Sequence, residues 1–307
     1  MADRALPPPH TVEVAESVFA YVQPDGSWWL NNTGFVVGGD DVMAVDATST
    51  ERRTRALLDA IRAQTAAPVR TLVNSHHHGD HTNGNCLFTD AVVVGHRNCR
   101  DRVLEQTIGG LEPVFGEVDW GDLVVRAPTV VFDDRLDLWA GEHRIELHYI
   151  GTPAHTTGDV VAWLPEQRVL FAGDLVFNGG TPFLLTGSVE GAVDAVARLR
   201  EFPAVTVVPG HGEVGGPELL DATDAYLAFV RTVATDAHAA GVPPLAAAQQ
   251  TDLGDFGHWH DKERIVGNLH RALLELDGAP RGAPIDVMTA FADMLVYNGG
   301  GPLRCLA

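Results

Sequence analysis

Short apolar runs broken by glycine, proline and aspartate fill the first two-thirds of the chain. From about residue 217 apolar positions recur every three or four residues instead. The first pattern predicts strands and turns, the second helices. Residues 18–22, 34–37 and 42–45 read as strands, with turns at Pro24-Asp25-Gly26 and at Gly38 to Asp41. A helix is expected over 50–66, with Thr48 and Glu51 three apart as a capping box and Leu57, Leu58 and Ile61 on one face. Strands at 71–74 and 91–95 flank a helix beginning after Asp80. A second group of strands covers 129–132, 135–138, 143–150, 160–164 and 169–172. A helix over 190–200, with Ser188 as its N-cap, leads to a strand at 205–208.

Strands, helix, strands, helix is the order of two sheets packed face to face with helices outside, an α+β architecture. The tail predicts helices over 219–240, 262–276 and 284–297. The second carries Ile265, Val266, Leu269, Leu273 and Leu274 on one face. The chain therefore divides into a core at 1–216 and a helical extension at 217–307 that packs on it.

Composition narrows the class without naming a chemistry. Hydrophobic residues make up 45 % and charged ones 20 % of the 307 residues, an ordinary globular balance. No apolar run approaches the ~20 residues of a membrane span. The first nine residues lack the hydrophobic core of an export signal, and three cysteines fit a reducing cytoplasm better than a disulfide framework. The net charge of −20 weighs against nucleic acid, whose binding depends on lysine and arginine releasing counterions. Lys262 is the only lysine, so an anionic group would have to be held by arginine, a metal or backbone N–H groups.

Candidate chemistry lies where apolar runs end. His76, His77, His78, Gly79, Asp80 and His81 follow the strand at 71–74, and His155, Asp174 and His211 each follow a further apolar run. Imidazole and carboxylate are the donors zinc prefers, and a catalytic zinc keeps one position for water, whose pKa falls from ~15.7 to ~7. Cys86 and Cys99 read as small buried residues rather than ligands. His258, Trp259 and His260 read as a corner packed on the core.

The segment His76-x-His78-x-Asp80-His81 is similar to the H-x-H-x-D-H signature of the metallo-β-lactamase superfamily, and the later His, Asp and His come in that family's order. The resemblance implies its αβ/βα four-layer sandwich, here with an added C-terminal helical segment. It further implies two zinc ions per chain. His76, His78 and His155 would hold one, Asp80, His81 and His211 the other, and Asp174 would bridge them. Asp80 would also act catalytically by accepting a proton. Asp46 resembles the family's aspartate behind the metal loop, and His77 is expected to turn away from the metals into packing or a supporting hydrogen bond.

Apolar, glycine-rich segments ring this chemistry, and Trp28 or Trp29 with Phe177, Phe183, Leu184 and Leu185 would wall a pocket for a flat apolar ligand. Several stretches, including 118–121, 161–174, 181–183, 263–272 and 297–307, resemble the metallo-β-lactamase-type cyclases of bacterial aromatic polyketide pathways. That resemblance implies aldol cyclisation of a polyketide intermediate, or its release from a carrier-protein thioester. The alternative is a general lactone or thioester hydrolase. A non-enzymatic binding protein would show substituted ligands, and none is missing. A carrier partner, itself acidic, would need a basic patch such as Arg52, Arg53 and Arg55 or Arg97, Arg100 and Arg102. The apolar helices of the tail need covering, by the sandwich or by a second copy of the chain.

Overall fold

The computed structural model describes residues 6–307, so the first five positions of the N-terminal stretch lie outside the described residues. One sheet holds β1 (His10–Ala15), β2 (Val18–Val22), β3 (Thr33–Val37), β4 (Val42–Val45), β5 (Val69–Asn74), β6 (Val92–His96) and β7 (Val130–Phe132), side by side in chain order. Pairing is antiparallel as far as β4 and parallel from β4 to β7. Parallel neighbours need a crossover. Helix α1 (Glu51–Gln64) supplies the first, and α2 (Gly79–Thr82) with the 3₁₀ turn Asn83–Leu87 lies in the second. Helices α3 (Arg97–Glu105) and α4 (Glu112–Phe115) fill the third.

The other sheet has β8 (Arg135–Ala140), β9 (His143–Tyr149), β10 (Val160–Leu164), β11 (Val169–Phe177) and β12 (Thr206–His211), in the order 12-11-10-9-8. Only β11 and β12 run parallel, joined through α5 (Val189–Leu199). Helices α6 (Glu218–Ala240), α7 (Pro244–Gln250), α8 (Arg264–Leu276) and α9 (Val287–Tyr297) complete the chain.

Side-chain alternation along the strands builds the layers. Val36, Met43, Val73 and Val94 face the second sheet and meet Ile145, Leu147, Ala162 and Phe171. Their neighbours Phe35, Ala44, Leu72 and Val93 face outward, onto Leu57 and Ile61 of α1. On the second sheet Val161, Trp163, Leu170 and Ala172 face outward and share one core with Val196, Leu227, Val230, Ile265 and Leu269 of α5, α6 and α8. The result is helix, sheet, sheet, helix, with the tail helices in the fourth layer.

Several local expectations differ from the structure. Thr50, not Thr48, caps α1 by accepting from Arg53 N, while Thr48 Oγ1 lies 2.7 Å from Thr54 Oγ1. The last helix begins at Val287 rather than near Pro284, because the Asp286 carboxylate accepts from Thr289 N and sets the start there. Strand β1 and helices α3 and α7 were not anticipated. In α3 only Cys99 and Val103 are buried, too few to mark a helical stripe. No helix among the described residues is long and apolar enough to cross a membrane.

The arginines of the two clusters are divided between the interior and surface ion pairs, with Arg52 exposed beside the Ala307 carbonyl. Arg53 is buried and donates to Gln23 and to the Leu306 carbonyl, and Arg55 pairs with Glu51. Arg97 pairs with Asp133, Arg102 with Glu105, and Arg100 donates to the Pro128 carbonyl.

Leu147 is fully buried between the sheets. Leu147→Ala is expected to cost about 2–5 kcal/mol. The check is a urea titration in which the midpoint falls and the slope stays the same.

Candidate metal centre

Seven side chains converge at one edge of the sandwich, between the sheets. His76, His78, His155 and Asp174 each offer a donor atom within 4.8 Å of the others, and Asp80, His81 and His211 form a second such set. His76 to His81 come from the end of β5 and the start of α2, His155 from the β9–β10 loop, and His211 is the last residue of β12. Asp174 departs from the expectation that it follows a strand. It lies inside β11, at an irregularity in the pairing with β12 that turns its carboxylate into the cluster.

The backbone holds this arrangement open. A Cβ added at Gly210 would stand 1.9 Å from Asp174 Oδ1, so only glycine leaves room for the carboxylate. Asn32 ties the same loop down: its backbone N donates to Gly210 O and its side-chain amide to the carbonyls of Pro209 and Gly212. His155 is fixed by a tight turn in which Asp159 accepts from Thr156 N and Oγ1.

Each imidazole has one nitrogen occupied outside the cluster, which aims the other inward. His81 Nδ1 lies 2.9 Å from Asp46 Oδ2, His155 Nδ1 2.5 Å from Phe183 O, and His211 Nδ1 3.0 Å from Gly26 O. Carbonyl and carboxylate acceptors place the proton on Nδ1 and leave Nε2 facing inward. His78 is turned over, with Nε2 3.2 Å from the Thr186 hydroxyl. Asp46 also accepts from Ser75 N and Oγ, which ties its carboxylate to the loop behind His76. It holds a left-handed conformation, φ 64°, a strain kept where the surrounding bonds over-determine it. The His77 ring does not join either donor set, and its backbone carbonyl accepts from Thr82 and Gln106.

The charges are tightly coupled. Burial opposes ionisation of Asp80, yet His81 and His211 hold its carboxyl down at about 2. Burial also opposes a charged His211, but Asp174 and Asp80 push it up to about 9, and Asp174, Asp46 and Asp80 carry His81 well above the usual imidazole range. Burial prevails at His155, which falls to about 3, and at His76, which falls well below its ordinary value. His76 Nε2 is buried without a hydrogen-bond partner, and His81 Nε2 and Asp174 Oδ1 face only each other, 3.0 Å apart. Buried nitrogen and oxygen donors that converge, beside carboxylates that attract positive charge, are what a divalent cation requires, and this donor set suits zinc.

The cluster opens into a cavity of about 240 Å³, lined by Trp28, Trp29, Phe177 and Phe183 as the sequence suggested. Leu184 is a correction. Phe183 and Leu185 face the cavity, while Leu184, at the start of the turn closed by Gly187 N to Leu184 O, turns into the core and its backbone N donates to Asn268. Phe115 comes from the apolar, glycine-rich stretch at 107–116 expected beside the metals, whereas Trp120, Arg264 and Phe291 were not foreseen as walls. Arg264 lies over the Trp28 ring at 4.0 Å and Glu263 accepts from Trp28 Nε1 at 2.7 Å, so α8 closes one side. The corner at His258 to His260 is structural: Trp259 packs on Tyr226 and Phe256, and His260 pairs through its backbone with the strand-like segment at Gly179 to Thr181.

Asp46→Asn keeps the shape and tolerates the left-handed backbone while removing the charge behind His81. Metal affinity should fall about 10–100-fold. Competition with a chromophoric chelator measures it, and an unchanged affinity would remove Asp46 from the centre.

Comparison with known proteins places these features. A hydroxyacylglutathione hydrolase of Rhodospirillum rubrum is 31 % identical over 188 residues, 60 % of this chain and 63 % of that protein. One from Thermosynechococcus vestitus is 29 % identical over 153 residues, 48 % of this chain and 50 % of that one. The match thus spans half to two-thirds of these relatives' length. The type 2 metallo-beta-lactamase of Bacteroides fragilis is 25 % identical over 223 residues, 69 % of this chain and 82 % of that protein. Among solved structures a metallo-beta-lactamase from Pontibacter korlensis superposes with a TM-score of 0.60 at 22 % identity, over 72 % of this chain and 99 % of that one, a likeness of fold. The sequence profile of the Metallo-beta-lactamase superfamily matches residues 26–211, from the turn that receives His211 Nδ1 to His211 itself, and the chain belongs to that superfamily.

Proposed function

We propose that this protein is a zinc-dependent hydrolase of an acyl thioester with a flat, apolar acyl group. The carrying observation is that the seven-residue donor cluster opens directly onto an aromatic cavity. His76, His78 and His155 would hold one zinc and Asp80, His81 and His211 a second, with Asp174 between them. Zinc bound there supplies Lewis acidity, polarising a carbonyl and acidifying water.

The chain's own residues supply the rest. Asp46 and the carbonyls of Phe183 and Gly26 keep His81, His155 and His211 in one tautomer and one orientation. Asp80 is more exposed than Asp174, 14 % against 4 % of the side chain, and lines the cavity. Asp80 would accept a hydrogen bond from water at the cavity floor and orient it toward the substrate carbonyl. Trp28, Phe115, Phe183 and Phe291 meet edge-on or tilted, with ring centroids 5.0–6.2 Å apart, and exclude water from the acyl group.

The relatives support hydrolysis of a thioester, since hydroxyacylglutathione hydrolases are named for cleaving an acyl derivative of glutathione. They lend no support to the carbon–carbon bond formation expected of a polyketide cyclase. Of the two arginine clusters only Arg53 is buried; Arg55, Arg97 and Arg102 stay exposed in surface ion pairs with Glu51, Asp133 and Glu105, which offset the positive charge a carrier protein would need.

The zinc-loaded protein should hydrolyse phenylacetyl thioesters, lose activity on chelation and regain it with two equivalents of zinc. A thiol-release assay decides this, and the proposal fails if no acyl thioester is turned over. Phe291→Ala should lower kcat/KM for the phenylacetyl thioester about tenfold relative to the acetyl thioester, the value of one aromatic contact. Equal losses for both substrates would remove Phe291 from the acyl site.

A further inference from the structure

Behind the floor of the aromatic cavity lies a second cavity of about 220 Å³, and His77, Thr186 and Val287 line both. Its character is cationic. Arg271 of α8 is 0 % exposed, and among the described residues it has no carboxylate within ion-pair distance. Nε and Nη2 of Arg271 donate to the Leu185 carbonyl and Nη2 also to that of Ala283, which leaves Nη1 buried without a partner. Glu275, one turn further on, bonds instead to the start of α5 through Glu190 N. Nδ1 of His77 is likewise buried and unpartnered. Arg102 reaches the same cavity from α3, with Glu105 at 2.8 Å as its surface partner. Glu275 is the nearby opposite charge but makes no ion pair with Arg271; a fully buried guanidinium with no carboxylate in contact is costly, and a bound anion relieves that cost.

We infer that this second cavity binds an anionic group of the substrate, a carboxylate or phosphate, with Arg271 as its principal partner and Arg102 as a supporting charge. The inference rests on the thioester reading, and it adds a polar end to a substrate whose acyl group is apolar. The ligand would lie across Thr186 and Val287, with its ring among the aromatic walls and its charge against α8.

Two experiments on the zinc-loaded protein test it. Crystals soaked in selenate should show an anomalous peak in the second cavity beside Arg271, and the peak should vanish in Arg271→Gln. An empty cavity would overturn the proposal. Matched aromatic thioesters, one with a terminal carboxylate and one with its carboxamide, placed on the acyl arm in one pair and on the thiol arm in another, show whether the anion belongs to the substrate. The carboxylate should be preferred in kcat/KM by about 10–100-fold in at least one pair, the worth of a hydrogen bond to a charged group. Arg271→Gln should bring that ratio toward one. Arg102→Gln, a surface-reaching change that spares the fold if Arg271→Gln does not, should reduce it partly. A selenate peak with no preference in either pair would overturn the assignment to substrate and leave a free-anion site. A peak with no thioester turned over would defeat the thioester reading while the anion site stands.

Discussion

Asp174 is buried with its carboxylate facing four imidazoles, at 3.0 Å from His81, 3.3 Å from His155 and His211 and 3.9 Å from His76. A carboxylate in such a place needs positive charge, and the neighbouring loops keep that charge within reach. Parallel pairing of β11 with β12 brings Asp174 beside His211, and the missing side chain at Gly210 prevents a clash between the two strands. The two sheets supply donors from opposite sides, so the centre forms only when the inter-sheet core is packed. Stability of the sandwich and geometry of the centre are therefore one problem.

Much of this was legible in the sequence. Strand alternation and the helical tail gave the layers because a half-buried strand and an amphipathic helix carry different periods. That five histidines and two aspartates meet was legible because the donors follow apolar runs, and runs that end at one edge of a sandwich deliver their next residues to one place. The exact delivery was less legible. Asp174 sits within β11 because a pairing irregularity, invisible in the residue pattern, turns it inward. Leu184 was misplaced because a run of apolar residues does not say which of two adjacent side chains faces the cavity. Asn32, which holds the His211 loop, gave no signal beyond an ordinary polar turn residue.

The cavity walls were the least legible part. Arg264 and Phe291 lie far along the chain from the donors, in helices whose apolar faces read as plain core. Only the packed structure shows that one end of α8 stacks a guanidinium on Trp28 while Arg271, two turns later, reaches the second cavity. A charged residue inside an amphipathic stripe was the available hint, since arginine is seldom fully buried without a purpose.

Arg264 and Phe291 fall beyond the stretch shared with the superfamily, whereas every donor atom falls within it. The lining is thus partly uncoupled from the machinery that it covers. Exchanges at the cavity-facing positions of α8 and α9 reshape the lining without replacing a donor, provided Asn268 and Arg271 go on holding the segment whose Phe183 carbonyl orients His155.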